Sequence, residues 1–61
     1  MLTAKRHPAA PDLIDVYTDA IPAPANVVAK HNVKHGQTWR TKHAGPKPSL
    51  AEIRAAVAQA V

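Results

Sequence analysis

The sequence predicts a small, mainly α protein in which two or three short helices are joined by Pro-rich hinges, a layout that also suits an extended, non-globular chain. Three observations favour this class. A capping box precedes an apolar stripe of helical spacing near the C-terminal end, and paired prolines interrupt the chain twice. Large apolar side chains are scarce for a chain of 61 residues. The alternative architecture contains a central β-hairpin around residues 27–43.

Length and composition limit the chain to one small domain. No Cys is present, so disulfides and thiolate metal sites cannot compensate for the thin supply of large apolar side chains. Many of the hydrophobic residues are Ala, which buries little area. We therefore expect the chain to be either loosely folded alone or ordered against a larger partner.

Residues 1–10 are predicted to form a basic N-terminal arm. Lys5, Arg6 and His7 are consecutive, and Pro8 disfavours helical geometry in the residue before it. The basic residues are not followed by an apolar run, so the arm lacks the pattern of a secretory signal peptide.

Residues 11–21 are acidic, and their pattern is compatible with a helix or a strand. A proline suits the first helical position, and Asp12 and Asp15 would complement the helix dipole in the first turn. A strand would instead place the β-branched residues Ile14 and Val16 on one side. The helix is the favoured prediction, with the strand left open.

Residues 22–48 form a basic segment bounded by prolines. Two prolines predict a stiff hinge at residues 21–25, and a second Pro/Gly hinge follows at residues 44–48. Between the hinges, residues 25–35 are predicted as a short helix that Gly36 ends in a left-handed conformation. A hairpin through the sequence HGQT is the alternative.

Residues 49–61 are predicted to form an amphipathic C-terminal helix. Ser49 and Glu52 have the spacing of a capping box, in which each residue satisfies a free backbone amide of the other. The apolar stripe at helical spacing consists of Leu50, Ile53, Val57 and Val61. Such a stripe must pack on something, and the chain's own core and a partner's groove both remain open. If the stripe packs on a partner, these four residues and Trp39 are the ones predicted to dock.

Basic charge is concentrated in the central segment. The net charge is +4 and the isoelectric point is about 10.0, which favours an anionic partner. No acidic residue lies between Asp19 and Glu52. The side chains predicted to contact the anionic partner are Lys30, Lys34, Arg40, Lys42 and Lys47. Nucleic acid and an acidic protein surface both fit this charge.

His31 and His35 have the spacing of two zinc ligands on one face of a helix. A zinc protease needs a Glu beside the first His, but Asn32 stands there, and the neighbouring lysines would repel a cation. Solvated histidines are the more ordinary interpretation. The sequence contains no recognisable nucleophile–base pair, so we expect no catalysis, no cofactor and no small-molecule substrate.

The spacing within residues 24–45 resembles that of a helix-turn-helix module. Ala29 matches the small position of the first helix, and Thr38, Trp39 and Arg40 match the start of a recognition helix. The resemblance implies a small DNA-binding protein of regulator or excisionase type.

The favoured function is that of a non-enzymatic structural or accessory subunit that docks in many copies along a larger assembly. A small virion component, of a phage capsid or tail, is the leading case, and the DNA-binding protein is the alternative. No apolar run approaches the roughly 20 residues of a membrane span, so the expected location is the virion or the cytoplasm.

Overall fold

The computed structural model describes residues 2–18, 23–42, 45 and 47–60 of the chain. Within them, four strands form one antiparallel sheet in sequence order, and an α-helix follows. The elements are β1 (Thr3–His7), β2 (Ala10–Tyr17), a 3₁₀ turn (Pro24–Asn26), β3 (Val27–Asn32), β4 (Gln37–Arg40) and α1 (Leu50–Ala60). The prediction of a mainly α protein is therefore wrong, because strands outweigh helix.

A helix was the favoured prediction for residues 11–21, but most of this segment forms β2, which lies between β1 and β3. Ile14 and Val16 are fully buried on one face of the sheet, and Asp15 and Tyr17 alternate onto the other face. This alternation with β-branched residues is the strand pattern that the sequence left open. Pairing with a strand on each side outweighs the local signal of acids in a first helical turn.

The N-terminal residues predicted to form an arm form β1 instead. β1 pairs with β2 from Thr3 opposite Tyr17 to Arg6 opposite Ile14, and a bulge then shifts the register. Pro11 lies within the stretch of β2 that the bulge leaves unpaired, so its missing amide hydrogen costs no ladder hydrogen bond. A guanidinium nitrogen of Arg6 donates to the Pro11 carbonyl at 2.8 Å.

β3 and β4 form the hairpin that was the alternative to a helix over residues 25–35, so the helix prediction is wrong. Gly36 has a φ of 70°, the left-handed conformation that tight turns require. The side-chain oxygen of Asn32 accepts the amide of His35 at 3.0 Å, and its carbonyl accepts the amide of Gly36 at 2.8 Å. No helix-turn-helix forms among the described residues 23–42, because strands occupy the positions of both helices.

α1 packs against β1 and β2 and covers one face of the sheet. The residues of the hydrophobic core are Ile14, Val16, Val28, Ala29, Ile53, Ala56 and Val57. Leu2, Ala4, Val33 and Ala60 pack around this core and are partly buried. Ile53 and Val57 of the apolar stripe predicted for the helix thus find their packing surface within the chain itself.

The capping box predicted at the start of α1 is confirmed. The Ser49 hydroxyl oxygen accepts the Glu52 amide at 3.2 Å, and the Glu52 carboxylate accepts the Ser49 amide at 3.5 Å. The Ser49 hydroxyl also donates to the same carboxylate at 3.1 Å. These bonds satisfy amides that the first helical turn leaves without backbone partners.

The molecule measures 28 × 23 × 19 Å, with a Cα radius of gyration of 10.2 Å. A compact domain of this length is expected to have a radius of gyration of about 10.5 Å, so the expectation of an extended, non-globular chain is wrong. None of the described helical segments has the length and apolar character needed to cross a membrane.

Parts of three sequence predictions lie outside the described residues. They are the end of the acidic segment with the first hinge at residues 19–22, positions 44 and 46 of the second hinge, and Val61 at the end of the apolar stripe.

Candidate partner-binding face of the sheet

One transverse row of side chains crosses all four strands on the face of the sheet opposite the helix. Lys5 of β1 pairs with Asp15 of β2, Asp15 pairs with Lys30 of β3, and Lys30 pairs with Trp39 of β4. Directly paired residues of antiparallel strands share one face. Since the flanking Ile14 lies under the helix, this row points the other way. We call the surface around Lys5, Asp15, Lys30 and Trp39 the open face.

Asp15 and Lys30 form an ion pair at the centre of the open face. The ammonium of Lys30 lies 3.0 Å from a carboxylate oxygen of Asp15, and the Asp15 side chain is only 6% exposed. A carboxylate buried to this degree requires a charged or hydrogen-bonding partner, which Lys30 supplies. The pair cancels the negative charge of Asp15, which would otherwise repel an anion at this surface.

Tyr17 lies on the open face next to the ion pair, two residues beyond Asp15 in β2. Its side chain is 9% exposed. Burial raises the pKa of the Tyr17 phenol, the Asp15 carboxylate raises it further, and Lys30 opposes the change. The phenol is therefore protonated at neutral pH and keeps an O–H group that can donate a hydrogen bond.

An open hollow of about 510 Å³ lies beside the row. The polar side chains at its wall belong to His7, Asp15, Tyr17, Lys30, Thr41 and Lys42. Thr41 fixes the chain after β4 by donating its hydroxyl to the Val27 carbonyl at 2.9 Å, and this holds Lys42 at the rim. A volume of this size is in the range of small-ligand sites.

His7 contributes a nitrogen–hydrogen donor to the same hollow. Its Nδ1 accepts the amide of Ala9 at 3.1 Å, so the neutral ring carries its proton on Nε2. Within the described part of the chain, no carboxylate forms an ion pair with Lys5 or Lys42. The open face therefore presents two exposed cations, donor groups and an aromatic ring.

A second hollow of about 510 Å³ lies between α1 and β1, and its lining includes Leu2, Ala4, Glu52 and Ala56. The Glu52 carboxylate is already engaged in the capping box. Apart from Thr3 and Gln59, this hollow is lined by apolar side chains and one acid that is already engaged, and no cation lines it within the residues that the structure describes, so the open face is the better candidate for binding.

The structure separates the residues predicted to dock on a partner. Trp39 and Leu50 are 40% and 39% exposed, at the edge strand and at the start of the helix. Ile53 and Val57 are buried against the chain's own sheet, and Val61 lies outside the described residues. A continuous docking stripe on the helix is therefore not available, and Trp39 is the exposed aromatic residue.

The five predicted anion contacts also do not form a single patch. Lys30 belongs to the transverse row and Lys42 to the rim of the hollow. Arg40 pairs with Ala29 and so lies on the side of the sheet that carries the helix. Lys34 is exposed in the turn between β3 and β4, and Lys47 is exposed before the helix.

Sequence reasoning missed Lys5, His7, Asp15 and Tyr17 as members of one surface. Lys5 and His7 were placed in an arm, and Asp15 was placed in a first helical turn. The available signal was the two-residue alternation in β2, which puts Asp15 and Tyr17 on the face opposite Ile14. The pairing of β1 with β2 was needed to bring the two basic residues to that face.

The predicted histidine pair does not have the geometry of a helical metal site. His31 lies in β3, where its Nδ1 is 2.7 Å from the Thr38 hydroxyl, and His35 is exposed in the following turn. Across the described residues, no group of three or more His, Asp or Glu side chains could hold a metal ion.

Comparison of the chain with protein-family models, with curated proteins and with solved structures finds no match.

Proposed function

We propose that the protein is a non-enzymatic accessory subunit that attaches to an anionic surface of a larger assembly through its open face. The observation that carries this proposal is the placement of exposed Trp39 beside Lys30 in a row that ends in the exposed cation Lys5. The helix leaves this face uncovered because it packs on the other side of the sheet.

The chemistry of the open face supports attachment and not catalysis. An exposed Trp is the residue type most enriched among side chains that dominate binding energy. Lys5 and Lys42 add positive charge, which raises the rate of encounter with an anionic surface and makes the attachment sensitive to salt. The partly buried ion pair of Asp15 and Lys30 lies at the centre of the face and contributes no net charge.

The larger assembly that we propose is a virion, in which the protein is a small capsid or tail component present in many copies. A chain of 61 residues commits one sheet face to its own core and leaves the other for a neighbour. Enclosed nucleic acid and acidic faces of neighbouring subunits are the anionic surfaces that such a particle offers.

Gradient sedimentation of native lysates tests this proposal. At about 50 mM salt we expect the protein in fast-sedimenting fractions, and at about 500 mM salt we expect it released to the top of the gradient, because screening weakens contacts between exposed charges. Replacing both Lys5 and Lys42 with Gln should release the protein already at low salt.

The control for position is Arg54→Gln, which removes one exposed positive charge from the helix on the other side of the molecule, and it is compared with the single variants Lys5→Gln and Lys42→Gln as well as with the double variant. The Arg54→Gln variant should sediment like the original protein. The proposal fails if the original protein stays at the top of the gradient at low salt, or if the control and the double variant are released equally.

A further inference from the structure

We propose that the anionic partner of the open face is single-stranded nucleic acid, with Trp39 stacked on a base and Lys5 and Lys42 in contact with phosphates. This inference rests on the proposed function, because it names the partner of the same surface. It is carried by the combination of an exposed indole, flanking cations and an adjacent hollow with hydrogen-bond donors.

The surroundings of Trp39 favour a nucleic acid over a protein partner. In protein interfaces, the residues around a central Trp are depleted in charge and exclude water. Here the side chain directly opposite Trp39 is Lys30, and Gln37 on the same face of β4 is exposed. An exposed aromatic ring among polar groups, with cations elsewhere on the same surface, is an arrangement that can stack a base while the cations neutralise phosphates.

The exposure of the ring favours a single strand over a duplex. Trp39 can cover a base only if that base is free of its own stacking and pairing partners, and extruding a base from a duplex costs a few kcal/mol. Adjacent strands lie about 4.8 Å apart, so the row from Lys5 to Trp39 measures about 14 Å. A flexible strand laid along this row meets the aromatic ring at one end and a cation at the other.

The hollow beside the row suits a phosphate group. Lys42, His7 and Tyr17 line it and carry side chains that can donate hydrogen bonds, and the charge of Asp15 is cancelled by Lys30 at 3.0 Å. Without this ion pair the carboxylate would face the phosphate directly. The ion pair therefore provides a surface without net charge between the two cations, Lys5 and Lys42.

The chain contains one Trp, so its fluorescence reports on the proposed stacking residue alone. We would titrate the full chain with ten-nucleotide oligo(dT), with the duplex of oligo(dT) and oligo(dA), and with a polyglutamate peptide of equal charge. Oligo(dT) should quench the Trp39 emission and bind at least tenfold more tightly than the other two probes. Two or three phosphate contacts predict a slope of log affinity against log salt of about −1.4 to −2.1.

Variants followed by the anisotropy of labelled oligo(dT) separate stacking from charge. Trp39→Ala should weaken binding about 5- to 150-fold, and Trp39→Phe should restore much of the loss, because any aromatic ring can stack. Leu50→Ala is the matched control, since it truncates an apolar side chain of nearly equal exposure elsewhere on the surface. It should leave the affinity unchanged.

Several outcomes overturn the inference. They are the absence of oligo(dT) binding at 50 mM salt, binding without a change in Trp39 emission, and equal affinity for the duplex. Equal or tighter binding of polyglutamate also overturns it but leaves the attachment to an anionic surface intact. In the gradient sedimentation experiment, absence of the protein from the particle fractions at low salt would instead contradict the proposed function itself.

Discussion

Asp15, Lys30 and Tyr17 lie next to one another at the centre of the open face, and the two charged side chains act on the Tyr17 phenol. Lys30 compensates the burial of the Asp15 carboxylate at 3.0 Å, and both charges act on the phenol of Tyr17. Because Tyr17 is the one Tyr in the chain, its ionisation can be followed without interference from another phenol.

We predict that Tyr17 ionises above its ordinary pKa of 10.0 in the folded protein, as measured by absorbance at 295 nm during alkaline titration. The folded state holds the proton more tightly than the unfolded state does. The resulting contribution to stability is complete below pH 10 and is lost as pH rises through the folded pKa. Unfolding free energy should therefore decline in strongly alkaline solution.

The variant Asp15→Asn tests the cause of this behaviour. Removing the carboxylate eliminates one interaction that raises the Tyr17 pKa and leaves the opposing influence of Lys30, so the titration midpoint should fall relative to the original protein. A midpoint that is unchanged or higher would contradict the assigned electrostatic environment.

At the scale of elements, the β3–β4 hairpin and the helix are stabilised by different local chemistry. The hairpin depends on Asn32, whose side chain and carbonyl accept two turn amides, and on Gly36 in the left-handed conformation. The helix depends on the reciprocal bonds of Ser49 and Glu52. The hairpin also carries Lys30 and Trp39, so its turn sets the register of the open face.

We predict that Gly36→Ala destabilises the protein by about 1–2 kcal/mol, measured by urea unfolding with far-ultraviolet circular dichroism. A Cβ at this position has no atom within 4 Å, so the cost comes from the backbone conformation alone and not from a clash. Gly36→Asn is the matched control and should cost less, because Asn tolerates left-handed geometry better than Ala does. Equal losses for the two variants would point to a different cause.

At the scale of the whole molecule, a small sheet and one helix enclose a core that is made within the chain. Ile14, Val16 and Ile53 are fully buried without any neighbouring molecule. The sequence predicted a chain that is loosely folded alone or ordered against a partner, whereas the structure has a core formed by the chain's own residues. One sheet face and the helix supply the fold, and the other sheet face remains for binding.

We predict that the isolated chain unfolds in one cooperative thermal transition whose midpoint does not change with protein concentration. At about 0.05 kcal/mol per residue, the expected unfolding free energy is about 3 kcal/mol. Ile53→Ala should cost about 2–5 kcal/mol, and a cost above about 3 kcal/mol would leave the chain largely unfolded at room temperature. Circular dichroism at two protein concentrations measures both effects.

The control for this measurement is Gln59→Ala, an exposed position on the same helix, which should shift stability by less than about 0.5 kcal/mol. A midpoint that rises with protein concentration would show that the folded state is an oligomer and would contradict a core made within one chain.

The features that sequence alone determined are those with short-range causes. Ser49 and Glu52 lie three residues apart, so their capping bonds and the helix that follows could be predicted from spacing. The left-handed conformation at Gly36 was also predictable, although its setting is a hairpin and not a helix end. The basic charge and the absence of Cys are likewise properties of composition.

Only the tertiary structure decided the architecture and the composition of the open face. Residues 11–17 and 25–35 carry local signals for both helix and strand, and the choice was made by pairing between strands distant in sequence. That pairing places Lys5, Asp15, Lys30 and Trp39 in one row although 34 positions separate its ends. Strand register is fixed by contacts across the whole sheet, so the local alternation in β2 could indicate that Asp15 and Tyr17 share a face but could not reveal the complete row.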